Sequence, residues 1–194
     1  MTTKERILEE ALGLFSQNGY DGTSMEQIAE LVGIKAPSLY KHFKGKGDIF
    51  NTLLDIAEKR YDENFGSADN MKIPDSIEEF VESAMNSVTF TATDPMIKRM
   101  RIFLIKEQFR SKRLAEITTR HQIDGLLKMY TRIAEGMMER KIIRKDDPSF
   151  VAMELIAPCV LYIAQADREP ECLKDVLKMI RKHLMHVCEL YRKK

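Results

Sequence analysis

Residues 35–46, in the first quarter of the chain, form a basic stripe that contains no acidic side chain. No aspartate or glutamate occurs between residues 35 and 46, and five side chains there can carry positive charge: Lys35, Lys41, His42, Lys44 and Lys46. Cations at this density neutralise phosphates and release counterions, which supplies much of the affinity of proteins for DNA. Residues 1–50 hold six cations and seven acids, so the basic character is confined to this stripe.

The elements around the stripe are predicted to form a helix, a tight turn and a second helix. Overlapping capping-box patterns begin at Thr23 and Ser24 and predict the start of the first helix. Gly33 predicts the turn, and Pro37 suits the first turn of a helix over residues 36–43. In a helix-turn-helix the second helix enters the major groove. Helical spacing turns two of its residues toward the core, Leu39 and Phe43, and leaves Pro37, Ser38, Tyr40, Lys41 and His42 outside. Three packed helices without DNA would give the same turn, and the basic stripe favours DNA binding.

The rest of the chain is predicted to be helical as well. Apolar residues recur at helical spacing and indicate an all-α fold of about nine helices. We expect an N-terminal three-helix domain over residues 1–47 and a C-terminal helical domain over residues 48–194. A loop predicted over residues 65–75 is a further boundary candidate, with the fourth helix shared by both sides.

Composition bounds the class of protein without naming its partner. The chain is 44% hydrophobic and 31% charged, as in globular proteins, and its net charge of +1 says little about ligands. Three cysteines without metal-ligand spacing fit reduced thiols in the cytoplasm. The apolar stretch over residues 150–164 is shorter than the roughly 20 residues of a membrane span. Together with the last helix it predicts a four-helix interface between two copies of the chain, with Pro158 as a kink.

Enzyme and metal-binding classes find little support. Residues 45–48 lack the upstream glycine and the following Ser or Thr of a phosphate-binding loop, and the chain has no nucleophile elbow or zincin motif. His183 and His186 lie three residues apart and could share a metal with Cys188, but such a pair is more often a surface pair. We therefore expect no catalytic residue, no metal and no cofactor.

Several segments match a known family in register. They are residues 11–15 (ALGLF), 18–24 (NGYDGTS), 28–29 (IA), 32–34 (VGI) and 38–46 (SLYKHFKGK). This quarter of the chain resembles the DNA-binding domain of the TetR family of transcriptional regulators, also called TetR/AcrR. The remainder matches that family only in its length and in being helical.

The resemblance implies a set of DNA contacts. Thr23 and Ser24 would bond phosphate at the second helix, and residues 36–38 would approach base edges. Tyr40 and His42 would reach phosphate, Lys41 would reach phosphate or bases, and Lys46 would grip the DNA backbone. The full set is Thr23, Ser24, Lys35, Ala36, Pro37, Ser38, Tyr40, Lys41, His42 and Lys46. Two residues depart from the family pattern: Lys35 stands where a helix cap is common, and Gly47 stands where a helix-favouring residue is usual.

The resemblance also implies a ligand-responsive repressor. It would bind a pseudo-palindromic operator as a dimer, with half-sites about 34 Å apart, and a small, largely apolar inducer would release it by tilting the fourth helix. Adaptable apolar side chains could line the ligand site: Phe65, Phe80, Met85, Phe103, Met129, Tyr130 and Met137. The same residues could be ordinary core. The alternative function is a helical dimeric adaptor or small-molecule-binding protein without specific DNA recognition.

Overall fold

The computed structural model describes residues 1–65 and 72–193, and most of them are helical. In these residues there are ten α-helical segments: α1 (Thr3–Asn18), α2 (Met25–Val32), α3 (Ala36–Tyr40), α4 (Lys46–Phe65), α5 (Ile77–Thr93), α6 (Pro95–Glu107), α7 (Lys112–Thr119), α8 (Gly125–Glu139), α9 (Pro148–Arg168) and α10 (Leu173–Leu190). A π-helical turn, Arg120–Asp124, joins α7 to α8 without a break. The described part of the chain thus has nine continuous helices and no strand, and the all-α prediction is confirmed.

One helix boundary differs from the predicted one. The α3 helix ends at Tyr40 rather than at residue 43, because the backbone tightens: His42 donates its N–H to the Leu39 carbonyl, three residues back. The α4 helix begins at Lys46, ahead of Gly47. The Asp48 carboxylate accepts the Lys44 backbone N–H at 2.9 Å and so organises the chain that enters α4. Of the predicted loop, residues 66–71 lie outside the described residues.

The chain forms two compact units that are not contiguous in sequence. The first unit combines Met1–Asn64 with Pro95–Glu116, and the second combines Phe65–Asp94 with Ile117–Lys194. The predicted division at residue 47 concerns where the DNA-binding part ends, and it stays a prediction.

Four aromatic rings form the centre of the first unit. Phe15 of α1 lies 5.4 Å from the Tyr20 ring and 5.7 Å from the Phe103 ring of α6. Phe50 of α4 lies 5.9 Å from the Tyr20 ring and 5.7 Å from the Phe103 ring, both edge-on. Edge-on and tilted pairs at these distances are favourable beyond their buried area. The cluster therefore ties α1, α4 and α6 to the residues that follow α1.

The second unit is a helical layer built on α5, α8, α9 and α10. Its core includes an edge-on pair, Phe80 with Tyr130, whose centroids are 6.1 Å apart. Gly136 of α8 lies so close to Ile73 that an added Cβ would come within 2.6 Å of that side chain. Arg140 donates to the Ile73 carbonyl at 2.8 Å, so the chain entering α5 is held against α8.

The α9 helix is longer than the apolar stretch from which it was predicted. Its 21 residues are long and apolar enough to cross a membrane by length and composition, with a mean hydropathy of 1.6 over an 18-residue window. Core helices of soluble proteins satisfy the same test. In the second unit α9 packs against α5, α8 and α10, which accounts for part of its apolar surface.

Candidate nucleic-acid interface

The α2 helix, which leads into α3, is capped at both ends. Ser24 caps α2: its hydroxyl accepts the Gln27 N–H at 3.1 Å, while the Gln27 side chain accepts the Ser24 N–H at 2.8 Å. Gly33 adopts a left-handed conformation with φ 74°, which lets Ile34 donate back to the Ala29 carbonyl at 2.9 Å. The Gly33 conformation and the Ile34 bond fix the angle at which the chain leaves α2 for α3.

Thr23 faces the interior of the first unit. Its residue is only 1% exposed, and its hydroxyl donates to the Gly19 carbonyl at 2.8 Å. Of the two overlapping capping patterns, the Ser24 one forms the capping box, and Thr23 instead fastens the turn after α1. In this conformation the Thr23 hydroxyl is committed to the protein, whereas Ser24 is half-buried at the start of α2.

The α3 helix presents the face expected of a recognition helix. Leu39 and Phe43 are buried, as the spacing predicts. Ala36 and Ser38 are half-buried at its start. Lys35 occupies the N-cap position and makes no side-chain cap bond, in line with its departure from the family pattern. Lys35 is exposed, and so are four other predicted contacts, Pro37, Tyr40, Lys41 and His42.

Lys46, at the start of α4, is held by Tyr20. Its ammonium donates to the Tyr20 carbonyl at 2.7 Å and lies 4.8 Å from the centroid of the Tyr20 ring. An ammonium has three N–H donors, so two remain for a phosphate. The structure thus fixes a cation at the edge of the basic stripe.

Two further cations near the stripe were not among the predicted contacts. Lys44 is exposed beside α3, and its position in the acid-free run was the signal that could have found it. Lys4 of α1 places its ammonium 5.4 Å from the Phe43 ring centroid. Only tertiary packing brings Lys4 there, so no local pattern indicates it.

The seven residues predicted to line a ligand site lie in three separate surroundings. Phe103 is fully buried in the first unit against Phe15 and Phe50. Phe65 packs edge-on against Phe90, at 5.2 Å. The others belong to the core of the second unit or pack against it: Phe80, Met85, Met129, Tyr130 and Met137. The packing favours a core role for those five side chains, and their ligand role stays a prediction.

An open cavity of about 240 Å³ lies within the first unit. Its lining includes Tyr20, Phe50 and Glu107, together with the exposed residues Arg110 and Arg113. Arg113 donates to the Asn51 side chain at 2.5 Å. None of the seven predicted ligand-site residues lines this cavity.

The histidine pair of α10 is not arranged around a metal. His183 bonds the Glu154 carbonyl through Nε2 at 2.8 Å, and Cys188 is buried. Throughout residues 1–65 and 72–193, no three His, Cys, Asp or Glu side chains are grouped so that they could hold a metal ion.

Comparison with known sequences identifies the N-terminal segment. Residues 7–53 match the family model described as bacterial regulatory proteins, tetR family. The chain is 37% identical over 70 residues to the biofilm operon icaADBC negative transcriptional regulator IcaR of Staphylococcus epidermidis, covering 32% of this chain and 38% of that protein. It is 39% identical over 61 residues to the transcriptional regulator AcrR of Shigella flexneri, covering 31% and 28%. The aligned residues thus span about a third of the length of these relatives.

Solved structures resemble the whole chain. SmeT of Stenotrophomonas maltophilia, in complex with triclosan, superposes with a TM-score of 0.75 at 21% identity, covering 100% of this chain and 93% of that one. GusR of Salmonella enterica gives 0.70 at 20% identity, covering 96% and 95%. At these identities the likeness establishes a shared fold.

Proposed function

The N-terminal domain of this chain belongs to the TetR family of bacterial regulatory proteins, and from that premise we propose that the protein is a DNA-binding repressor of transcription. Its relatives by sequence are transcriptional regulators rather than enzymes. The observation that carries the proposal is the exposed, acid-free face of α3, which follows a helix α2 capped by Ser24 at its start and by Gly33 at its end. Such a protein acts in the cytoplasm, where its DNA lies.

We propose that α3 lies in the major groove with its start against the base edges. Ala36, Pro37 and Ser38 offer one hydroxyl and apolar surface there. We therefore expect contacts with thymine methyl groups and DNA shape to contribute to sequence preference. Ser24, Lys41 and Lys46 are assigned to phosphate, which positions the helix.

We further propose that two copies of the chain bind one operator through a face made by α9 and α10. Phe150, Met153 and Leu161 of α9 are large, apolar and exposed, and so are Met179 and Leu190 of α10. Large apolar side chains exposed on two helices that pack against each other are typical of an interaction site. Two antiparallel helices from each copy would bury it in a four-helix interface, and twofold symmetry would match a pseudo-palindromic operator.

A small, largely apolar molecule is proposed to regulate DNA binding. SmeT, which has the same fold, was solved with triclosan, and the second unit of this chain is rich in methionine and aromatic residues. The protein has one form that fits the operator and another that does not. The ligand would release DNA only if it binds the second form more tightly than the first. The proposed lining comes from the second-unit residues named above.

The test is selection of bound duplexes from a random DNA pool at about 150 mM salt, followed by sequencing. The proposal expects a pseudo-palindrome whose affinity falls steeply with salt. Lys46→Ala should weaken binding to all DNA sequences equally and lower the slope of log affinity against log salt by about one unit. Ser38→Ala should instead change the sequence preference. An adaptor without DNA recognition would yield no motif and no shift at any salt concentration.

A further inference from the structure

A buried acid lies where α6 meets the residues that follow α1. Glu107, the last residue of α6, is 3% exposed. Its Oε2 accepts the Tyr20 backbone N–H in a long hydrogen bond of 3.4 Å, and its Oε1 lies 3.2 Å from the Arg110 guanidinium. A carboxylate this deep is costly unless its hydrogen bonds are made, so its place next to the peptide between Gly19 and Tyr20 needs a reason.

The same Tyr20 holds the lysine assigned to DNA. Glu107 accepts the backbone N–H of Tyr20, and Lys46 donates to the backbone carbonyl of Tyr20 at 2.7 Å. The Tyr20 ring lies under the Lys46 ammonium and packs between Phe15 and Phe50. A displacement of the Tyr20 backbone must therefore move the carbonyl oxygen to which Lys46 donates.

Gly19 shows how closely this contact is fitted. Its φ is 80°, and a Cβ added there would lie 2.8 Å from Glu107 Oε1. The turn after α1 thus leaves no room between backbone and carboxylate. Glu107 acts as a fixed support for the turn.

We propose that Glu107 is a positioning residue for DNA binding, which sets the Lys46 ammonium through Tyr20 so that its two free N–H groups meet a phosphate. The inference rests on the proposed function. Glu107 touches no DNA. A negative charge near a DNA-contacting lysine would by itself weaken attraction to phosphate, so positioning and simple charge predict effects of opposite sign when Glu107 is replaced.

The test is fluorescence anisotropy of the full chain with its selected operator duplex over a series of salt concentrations. Glu107→Ala removes the acceptor and should weaken binding by about three- to tenfold at moderate salt and flatten the salt slope by up to about one unit, as expected for one lost phosphate contact. Glu107→Gln keeps one acceptor for the Tyr20 N–H, loses the charge, and should stay within about twofold of the parent.

A matched control tests the packing of α6 on α1 without touching Tyr20. Arg99 of α6 pairs with Glu9 of α1 at 2.7 Å on the surface, and Arg99→Ala should leave affinity and slope unchanged. A double-mutant cycle tests whether Glu107 acts through Lys46. In the Lys46→Ala background, Glu107→Ala should cause no further loss of DNA affinity. Thermal melting checks the fold, and Glu107→Leu, which fills the space without an acceptor, replaces the alanine variant if that one is unfolded.

The outcomes separate the two proposals. If the parent binds and Lys46→Ala weakens binding while Glu107→Ala does not, the positioning role is overturned and DNA binding stands. Tighter binding by both Glu107 variants would show a simple charge effect and also overturn it. A loss that persists undiminished without Lys46 would overturn the route through Lys46. A parent that binds no DNA would remove the proposed function and this inference with it.

Discussion

Gly19 combines a positive φ of 80° with a carboxylate against its Cα, and we expect Gly19→Ala to be strongly destabilising. A non-glycine residue held in such a region costs about 1–3 kcal/mol, and the contact with Glu107 adds to that cost. The matched substitution Gly13→Ala falls inside α1, where an added Cβ meets nothing within 4 Å. It should raise the free energy of unfolding by about 0.5–1 kcal/mol. Urea unfolding of both variants measures the difference, and shifts of the same sign would contradict the assigned backbone geometry.

The three thiols should differ in reactivity. Burial raises the pKa of the Cys159 and Cys188 thiols to about 12. Partial burial and the nearby Glu169 also raise the pKa of Cys172, but that residue is half-buried at the start of α10. Because the thiolate is the reactive form, iodoacetamide should modify Cys172 first in the native protein, and all three after denaturation. Mass spectrometry of digests reads the order, and native Cys159 alkylated as fast as Cys172 would refute it.

The start of α9 depends on one carboxylate. Asp147 accepts from the Ser149 hydroxyl at 2.6 Å, the Ser149 N–H at 2.8 Å and the Phe150 N–H at 3.3 Å. The bond from the Ser149 hydroxyl, followed by the two backbone bonds, holds the pKa of Asp147 below its ordinary value. A depressed pKa in the folded state means that the charged form stabilises the fold above the unfolded pKa, and that this contribution is lost as pH falls through the folded pKa.

Asp147→Asn tests this charge because asparagine caps a helix about as well as aspartate. The parent should be the more stable protein at about pH 7, and the difference should shrink as the pH falls below the ordinary Asp pKa and through the lowered pKa of folded Asp147. Thermal melts of the pair across this range measure it. A difference independent of pH would show that the cap acts through its hydrogen bonds alone.

Local patterns predicted helices well and their exact ends less well. The spacing of Leu39 and Phe43 identified the buried side of α3, yet it could not show that the helix tightens after Tyr40. Apolar spacing gives no sign of the π turn between α7 and α8, because that turn adds a residue without ending the helix. Thr23 and Ser24 both matched a capping box, and only the packing of Thr23 against the turn after α1 decides between them.

At the scale of the whole molecule, the order of helices along the chain did not show which helices belong to the first unit. The α6 helix lies beyond a second-unit helix in the chain and yet packs with α1, so Phe103 and Glu107 belong to the unit that holds α3. No local pattern reports a contact between residues 20 and 107. Residue type makes Phe103 a ligand-site candidate, and that role stays a prediction. Its ring contacts are with Phe15 and Phe50.

Self-association should be removed by a charge on the exposed face of α9. Leu161 is 66% exposed, so Leu161→Lys should leave the monomer folded but bury a charge in the proposed interface. Light scattering at micromolar concentration should then give the monomer mass, and operator affinity should fall because both half-sites are no longer held together. Phe109→Lys is the control, since Phe109 is 91% exposed and lies outside α9 and α10. A parent protein that is monomeric at this concentration would contradict the proposed dimer interface of α9 and α10.

The short α3 has a consequence for how such proteins diverge. Its fold is secured by Leu39 and Phe43 from one side, while Pro37, Tyr40 and Lys41 face outward. Selection on stability and selection on operator choice therefore act on different positions of one small helix. Gene duplicates could drift to new operators through the outward positions while their scaffold stays intact, and a library randomised at those positions would be rich in folded members with altered targets.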